Sequence, residues 1–341
     1  MNWRRYRNEV HGIAFWPAML LALAGPAHAQ SVEEFYRGKT VTILVGFTAG
    51  GGYDVYARLL GRHIGRHLPG NPSVVVQNMP GAGSLKATQY VYGVAPKDGT
   101  TLATVSRGMA TDPLIGDAKF DATKFTWVGS ITSETSICAT WQSSPTKSWD
   151  DMFRREFTLG GSATGADPDT FALILRNVFG AKVKLVTGYP GGNDINLAME
   201  RGEVDGRCGW SWSSLKSLKA WLPKINLLAQ FAVEKNADIP QVPWAIDRAA
   251  NDEQRQVLRL LTAGQFLGRP FFGTPDIPAD RTAALRAAFD ATMKDAQFLA
   301  EAAKLDLEVT PVTGAAIDAF LADLYRTPKD VIGKAAAAIQ K

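Results

Sequence analysis

Val41-Thr42-Ile43-Leu44-Val45-Gly46-Phe47 runs without a break into Thr48-Ala49-Gly50-Gly51-Gly52, and Asp54 follows. The apolar, β-branched run reads as a buried strand, the glycines as a tight turn, and Asp54 as the opening of a helix. A strand–turn–helix of this kind leaves the first helical amides unpaired and aimed at one spot, where the helix dipole also favours negative charge. The stretch therefore reads as an anion seat made of main chain. It is not a nucleotide P-loop, because the Lys-Ser/Thr pair is missing, and the glycine spacing is not that of a dinucleotide fingerprint.

Outward from this point, strands and helices alternate, which argues α/β with a largely parallel sheet. The pattern predicts a helix from Asp54 to about Leu68, stopped by Pro69-Gly70, then strands at Ser73–Gln77 and Thr101–Ser106 around a helix at Ser84–Gly93. Phe125–Ile131 and Ile137–Trp141 read as further strands. A second series starts at Phe157-Thr158-Leu159-Gly160-Gly161, which enters the loop Ser162–Pro168; Asp169 caps a helix over Thr170–Phe179. Strands at Val183–Thr187, Val204–Trp210 and Ile225–Ala232 follow, with a helix at Asn193–Arg201. The C-terminal part is helical, over Ala279–Lys294, Phe298–Leu305 and Ala315–Tyr325. The halves echo each other, since each holds a strand, a glycine-bearing loop and an acid-capped helix. Two such units facing each other form a cleft with two polar jaws.

The first residues read as an address. Arg4, Arg5 and Arg7 precede a short apolar stretch, Ile13–Gly25, and Ala27-His28-Ala29 is an A-x-A cleavage site, so the mature chain starts at Gln30. No later segment is long and apolar enough to cross a membrane. The 341-residue chain carries 37 Lys+Arg and 33 Asp+Glu; three Arg and one Glu precede the cleavage site, leaving 34 against 32. That balance argues against nucleic acid as a partner. Two cysteines, Cys138 and Cys208, lie in apolar strand-like contexts. An exported chain allows them to pair, and two separate small core residues are the other reading.

Several motifs in order resemble the Bug-type, or TctC-like, periplasmic solute-binding receptors of tripartite tricarboxylate transporters. Phe35-Tyr36-Arg37-Gly38-Lys39-Thr40-Val41 is similar to that family's strand entry, and Gly46–Asp54 to its "PFPPGG-x-x-D" loop. Val74-Val75-Val76-Gln77-Asn78-Met79-Pro80-Gly81-Ala82-Gly83 matches "VVVENRPGAGG". Ala95-Pro96-Lys97-Asp98-Gly99-Thr100-Thr101-Leu102 matches "A-x-PDGYTLL", and Gly202-Glu203-Val204-Asp205 matches "GQVD". The resemblance implies an α/β, two-lobed periplasmic-binding-protein-like clamshell, each lobe a mainly parallel sheet flanked by helices. It divides the chain into a signal peptide (1–29), lobe 1 (30–139 and 268–341) and lobe 2 (140–267). It implies a monomeric periplasmic receptor, not an enzyme and without a cofactor, that captures a small organic acid and delivers it to the membrane permease subunits of a tripartite tricarboxylate transporter.

Carried over by position, the first jaw is Phe47, Thr48, Ala49, Gly50, Gly51 and Gly52, with Ser84 and Ser106 beside it. The second is Ser162, Ala163, Thr164 and Gly165, with Tyr189, Asp205 and Trp210 shaping the remainder of the pocket. Backbone N–H groups are expected to hold the ligand's carboxylate. The chain departs from the family where Asp167 and Asp169 stand in the second jaw's loop. An anion seat tolerates acids only if they point away or meet a cation, so a monocarboxylate, or a ligand that also carries an amine, fits better than a tricarboxylate. Gly209-Trp210-Ser211-Trp212 puts two indoles near the cleft, at least one of them facing an apolar ligand body. Trp127, Trp141 and Trp244 read as packing residues. Asp54 and Asp169 read as helix caps, and Asp205 either holds loops or meets a ligand amine. His63 and His67 sit four apart on one helix, but no third metal ligand is nearby. Two other readings keep part of this picture. One is a sensor that presents its ligand to a membrane signalling kinase. The other is a serine hydrolase using Ser84, Ser106 or Ser162, which lacks a base.

Overall fold

β1 (Thr40–Val45) has Val41, Ile43 and Val45 fully buried and Leu44 nearly so. A strand buried on both faces belongs in the middle of a sheet with helices on each side. The computed structural model describes residues 30–116 and 118–340, and the proposed signal peptide lies outside them. β1 pairs in parallel with β2 (Ser73–Asn78) and β3 (Thr101–Thr104). The remaining strands are β4 (Thr126–Ser130), β5 (Ser136–Trp141), β6 (Phe157–Gly160), β7 (Val183–Val186), β8 (Gly206–Ser211), β9 (Ile225–Phe231), β10 (Pro270–Gly273) and β11 (Val312–Thr313). They form two sheets in one compact unit, ordered β11-β4-β10-β3-β1-β2 and β7-β6-β8-β5-β9. Helices flank both, which gives a two-lobed α/β clamshell.

Each sheet is mixed rather than mainly parallel. β7-β6-β8 repeats the parallel trio β2-β1-β3, and next to each trio lies an antiparallel strand: β10 against β3 and β4, β5 against β8 and β9. The cause is the connectivity. β5 and β10 are the first strands after the chain crosses between lobes, so each enters its sheet from the crossing side and runs opposite to the trio. The two crossings pair with each other. Ile131 N–H donates to Arg269 O at 3.1 Å, Arg269 N–H to Thr132 O at 3.3 Å, and Glu134 N–H to Gln265 O at 2.8 Å.

These crossings correct the expected lobe boundaries. A division after residue 139 falls inside β5, the whole of which belongs to the second sheet, so the chain crosses at Ile131–Thr135. The C-terminal region does not stay with the first lobe either. The helix Gly314–Leu324 packs on β4, but in the helix Lys329–Ala338, Val331 and Ala335 are buried in the core of the second lobe. The strongly amphipathic helix Asp252–Thr262, capped by Asn251 accepting from Gln254 N–H, packs against it and is not among the helices expected from sequence.

The first lobe's core is Tyr56, Leu59, Leu60 and Ile64 of the helix Gly52–Ile64 laid on β1, and Phe271 and Phe289 behind. Each fully buried leucine-sized side chain stabilises by about 1.5–3 kcal/mol. Trp127 packs beside Phe125 and Phe272, and Trp141 against Trp221. Cys138 of β5 and Cys208 of β8 are joined in a disulfide between adjacent strands.

Candidate functional site

The lobes meet around a cavity of about 220 Å³. The first-lobe wall is the turn after β1. The ring of Phe47 stacks on Tyr53 at 4.9 Å, and Thr48 Oγ1 donates across the cleft to Asp194 Oδ2 at 3.2 Å. Val55 N–H makes the first intrahelical bond, to Gly51 O, so the amides just before it have no intrahelical acceptor. Gly52 must lack a side chain. A Cβ there would lie 2.4 Å from Ser214 Oγ and 2.9 Å from Arg269 Nη2.

Asp54 shapes this wall from behind. Its carboxylate accepts from Gly50 N–H at 2.8 Å, Arg58 Nε at 2.9 Å and Asn78 Nδ2 at 2.8 Å. Burial opposes its ionisation, but these donors outweigh it and hold its pKa below the usual carboxylate value. Asp169 does the corresponding work in the second lobe, accepting from Ser162 N–H at 2.6 Å and Thr187 Oγ1 at 2.7 Å. Two of the backbone amides expected to grip the ligand are taken up in this way. Of the two glycine-bearing loops, the Gly50 and Ser162 amides are already engaged by the acids at the starts of their own helices.

Three buried arginines dominate the cavity instead. Arg107 follows β3, Arg207 lies on β8, and Arg269 ends the return crossing; all three line the cavity, and none is more than 5 % exposed. Arg269 donates to Ser211 Oγ (3.0 Å) and Ser214 Oγ (2.9 Å), lies 3.5 Å from Glu134 Oε2, and stacks over Tyr53 and Tyr56 at 4.8 and 4.9 Å. Glu134 in turn accepts from Ser213 Oγ. Arg107 donates to Ser211 Oγ at 2.7 Å, and its Nε lies 2.8 Å from Asp167 Oδ2, off the line a hydrogen bond needs. Arg207 donates to Gly192 O (2.8 Å), Asn196 Oδ1 (3.1 Å) and the carbonyls of Cys208 and Gly209, and sits 5.4 Å from the Trp210 ring. Burial pushes its pKa down to about 10; Asp167 counteracts this and Arg107 adds to it. It remains a cation at neutral pH.

Among the described residues, Arg107 Nε and Nη1, Arg269 Nε and Ser162 Oγ are buried, without a hydrogen-bond partner, and belong to cavity-lining side chains. Orphaned donors of this kind are costly unless something else satisfies them.

Eight of the residues expected from sequence line this one cavity: Phe47, Thr48, Gly50, Gly51, Gly52, Ser106, Ser162 and Trp210. The others stand elsewhere. Ala49 and Thr164 are exposed loop tips. Ser84 is buried behind the wall, where its Oγ accepts from Ser106 N–H at 2.8 Å. Ala163 and Gly165 press on the first lobe rather than on the cavity: a Cβ at Gly83 would lie 3.3 Å from Ala163 Cβ, and one at Gly108 2.3 Å from Gly165 O. Tyr189 is half-buried and packs beside Gly160 and the core around Ile195. Asp205 ties strands together, accepting from Thr158 N–H at 2.7 Å and Thr158 Oγ1 at 2.8 Å. Trp212 Nε1 donates to Asp238 at 3.1 Å, away from the cavity. His63 and His67 pair with Glu301 and Asp295, and no histidine is among the residues lining the cavity.

The sequence reading missed all three arginines. A signal was present: Arg207 interrupts the apolar strand around Cys208 and Trp210, and Arg269 stands in the run Phe266–Phe272. A charge inside an otherwise buried segment marks either a paired ion or a site.

No family model matches the chain. A UPF0065 protein encoded in the TAR-I ttuE-ttuC' intergenic region of Agrobacterium vitis is 28 % identical over 332 residues, covering 92 % of this chain and 90 % of that protein. A UPF0065 protein from the gbd 5' region of Cupriavidus necator is 26 % identical over 252 residues, 70 % of this chain and 73 % of that one. The fold is that of solved periplasmic binding proteins. BugD superposes with a TM-score of 0.69 at 18 % identity, covering 88 % of this chain and 98 % of BugD. MatC of Rhodopseudomonas palustris, solved with bound malate, gives 0.67 at 19 % identity over 86 % of this chain and 99 % of MatC. An R. palustris protein, Rpa4515, solved with adipate, gives 0.66 at 20 % identity over 88 % of this chain and 97 % of its own.

Proposed function

We propose that this chain is a Bug-type, TctC-like solute-binding receptor. It works in the periplasm after loss of its first 29 residues, captures a small organic acid between its lobes as a monomer, and hands it to the permease subunits of a tripartite tricarboxylate transporter. The observation that carries this reading is the convergence of Arg107, Arg207 and Arg269 on one interlobe cavity where, among the described residues, Asp167 and Glu134 are the carboxylates paired with them. A buried surplus of cation is unfavourable on its own and is relieved by an anion. The malate and adipate bound by similar folds support an acid as that anion.

The motion that admits the solute follows from the crossings. The segments at Ile131–Thr135 and Leu267–Arg269 are where the lobes hinge. Closure brings Thr48 onto Asp194, and Lys216 of the second lobe onto Glu308 of the first at 3.0 Å. Arg269 sits on a crossing segment and bonds to Ser211 and Ser214 of the second lobe, so it meets solute and hinge together. The role requires no bond-making, and His63 and His67 are engaged by Glu301 and Asp295 rather than by Ser84, Ser106 or Ser162.

Thermal unfolding across a library of small acids tests the proposal. A ligand at a hundred times its Kd adds about 2.7 kcal/mol. No response to any carboxylate would remove the receptor reading.

A further inference from the structure

We infer that the cleft selects a solute with a single carboxylate on an uncharged, largely apolar body, and rejects the dicarboxylate and the zwitterion of equal length. The inference rests on the receptor reading above and names the class of acid.

Charge is the first argument. Four charged side chains line the cavity: Arg107, Arg207, Arg269 and Asp167. Glu134, just behind, pairs with Arg269. Asp167 offsets Arg107 and Glu134 offsets Arg269, which leaves one positive charge. It resides on Arg207, whose hydrogen-bond partners are three carbonyls and the Asn196 amide oxygen; among the described residues no carboxylate pairs with it directly, and Asp167, which acts on it through space, is paired with Arg107. One anion completes this set. A second carboxylate on the same solute has to remain unpaired or displace Asp167 or Glu134 from its arginine, and both outcomes bury an uncompensated charge.

The zwitterion fails for a different reason. Its ammonium would need Asp167, but the Asp167 charge is already shared with Arg107 at 2.8 Å, and the same Oδ2 accepts from Ser136 Oγ at 3.1 Å and Gln265 Nε2 at 3.0 Å, so an ammonium on this carboxylate competes with Arg107. A solute of zero net charge also leaves the Arg207 surplus in place. Unpaired donors are available to an acid group: Arg107 Nη1, Ser162 Oγ and Arg269 Nε, with Arg107 Nε already beside Asp167. The lining also has an apolar side, with Phe47, Ile195, Trp210, Leu218, Leu305 and Leu307, next to neutral polar groups such as Asn193 and Ser217. Arg207 lies over the Trp210 ring, so charge and apolar surface adjoin and the acid group belongs directly on the hydrophobic body.

Two matched sets of probes separate the classes by calorimetry on the purified protein. Hexanoate, adipate and 6-aminohexanoate share one chain length and differ only in the far end; benzoate, terephthalate and 4-(aminomethyl)benzoate do the same on a ring. In each set the monoanion is expected to bind at least tenfold more tightly than its dianion and its zwitterion. Asp167→Asn adds one positive charge to the cavity, so it should narrow or reverse the gap between adipate and hexanoate; its thermal midpoint without ligand checks that it folds. Tightest binding of adipate or terephthalate by the unaltered protein overturns the charge count while leaving the receptor reading intact. Tightest binding of a zwitterion overturns it equally. Silence towards all six probes, in protein that melts cooperatively, removes the carboxylate reading itself and this inference with it.

Discussion

Replacing Arg207 by Gln removes the cavity cation that forms no direct pair with a carboxylate among the described residues. Two opposing terms then act on the ligand-free protein. Burial holds the Arg207 pKa at about 10, a penalty of about 3 kcal/mol against the ordinary guanidinium value. The sign is that of a cation with a depressed pKa: the penalty is fully present at neutral pH and fades only as pH rises past the folded value. Removing the charge returns that energy. It also breaks the bonds to Gly192 O, Asn196 Oδ1, Cys208 O and Gly209 O, at about 1 kcal/mol each. The terms nearly cancel, so the ligand-free variant should unfold within about 1–2 kcal/mol of the parent. Binding has no such compensation. A charged hydrogen bond contributes about 1.5–3 kcal/mol, so carboxylate affinity should fall about 10- to 100-fold. Arg207→Lys keeps the charge without the fork and should recover a large part of the loss. Denaturant unfolding and calorimetry on the two variants give both numbers. A Gln variant that unfolds several kcal/mol more easily yet binds acids like the parent would refute the reasoning, because Arg207 would then be a strut.

Other expectations follow from the same contacts. At Gly108 an added Cβ meets Gly165 O at 2.3 Å across the cleft, so Gly108→Ala should prop the lobes apart, lowering affinity at least tenfold and enlarging the radius measured by solution scattering; unchanged affinity would place the lobe contact elsewhere. The Cys138–Cys208 bond closes 70 residues, worth about 4 kcal/mol in the chain-entropy account; a Cys138→Ser/Cys208→Ser double variant should lose most of that in urea, and a loss under about 1 kcal/mol would argue that the paired strands already fix this geometry. Asp54 has a depressed folded pKa, so the stability it contributes is complete above its unfolded pKa and is lost as pH falls through the folded value; Asp54→Asn should be less stable at neutral pH and show a shallower decline below about pH 4, and an identical acid limb would mean Asp54 is not the group being titrated. Asp205→Asn should leave ligand affinity within about threefold while costing about 1–2 kcal/mol of stability through Thr158, and a larger affinity loss would return Asp205 to the site.

Much of the architecture was legible in local pattern. The parallel trios β2-β1-β3 and β7-β6-β8 announce themselves as short β-branched runs between glycine-bearing turns and amphipathic helices. The sites of Phe47, Gly50–Gly52, Ser106, Ser162 and Trp210 were legible too, because each ends a strand or opens a helix, and strand ends in such sheets face the crevice. Asp205 stayed open between two roles because a strand-end acid looks alike in sequence whether its donors are a ligand or Thr158. β10 is only four residues long and carries no alternation, so nothing local says that it runs antiparallel between β3 and β4.

By itself the chain determined which segments are strands and helices, that two similar α/β halves exist, and that both turn glycine-bearing loops towards a common edge, because these depend on neighbours within a few residues. The tertiary structure alone decided which charges meet. Arg107, Arg207 and Arg269 are at least 62 positions apart in the sequence, and only the lobe crossings bring them to one cavity and allot Asp167 and Glu134 to two of them. Electrostatic energy depends on distance through space and on burial, and neither is a property of sequence separation.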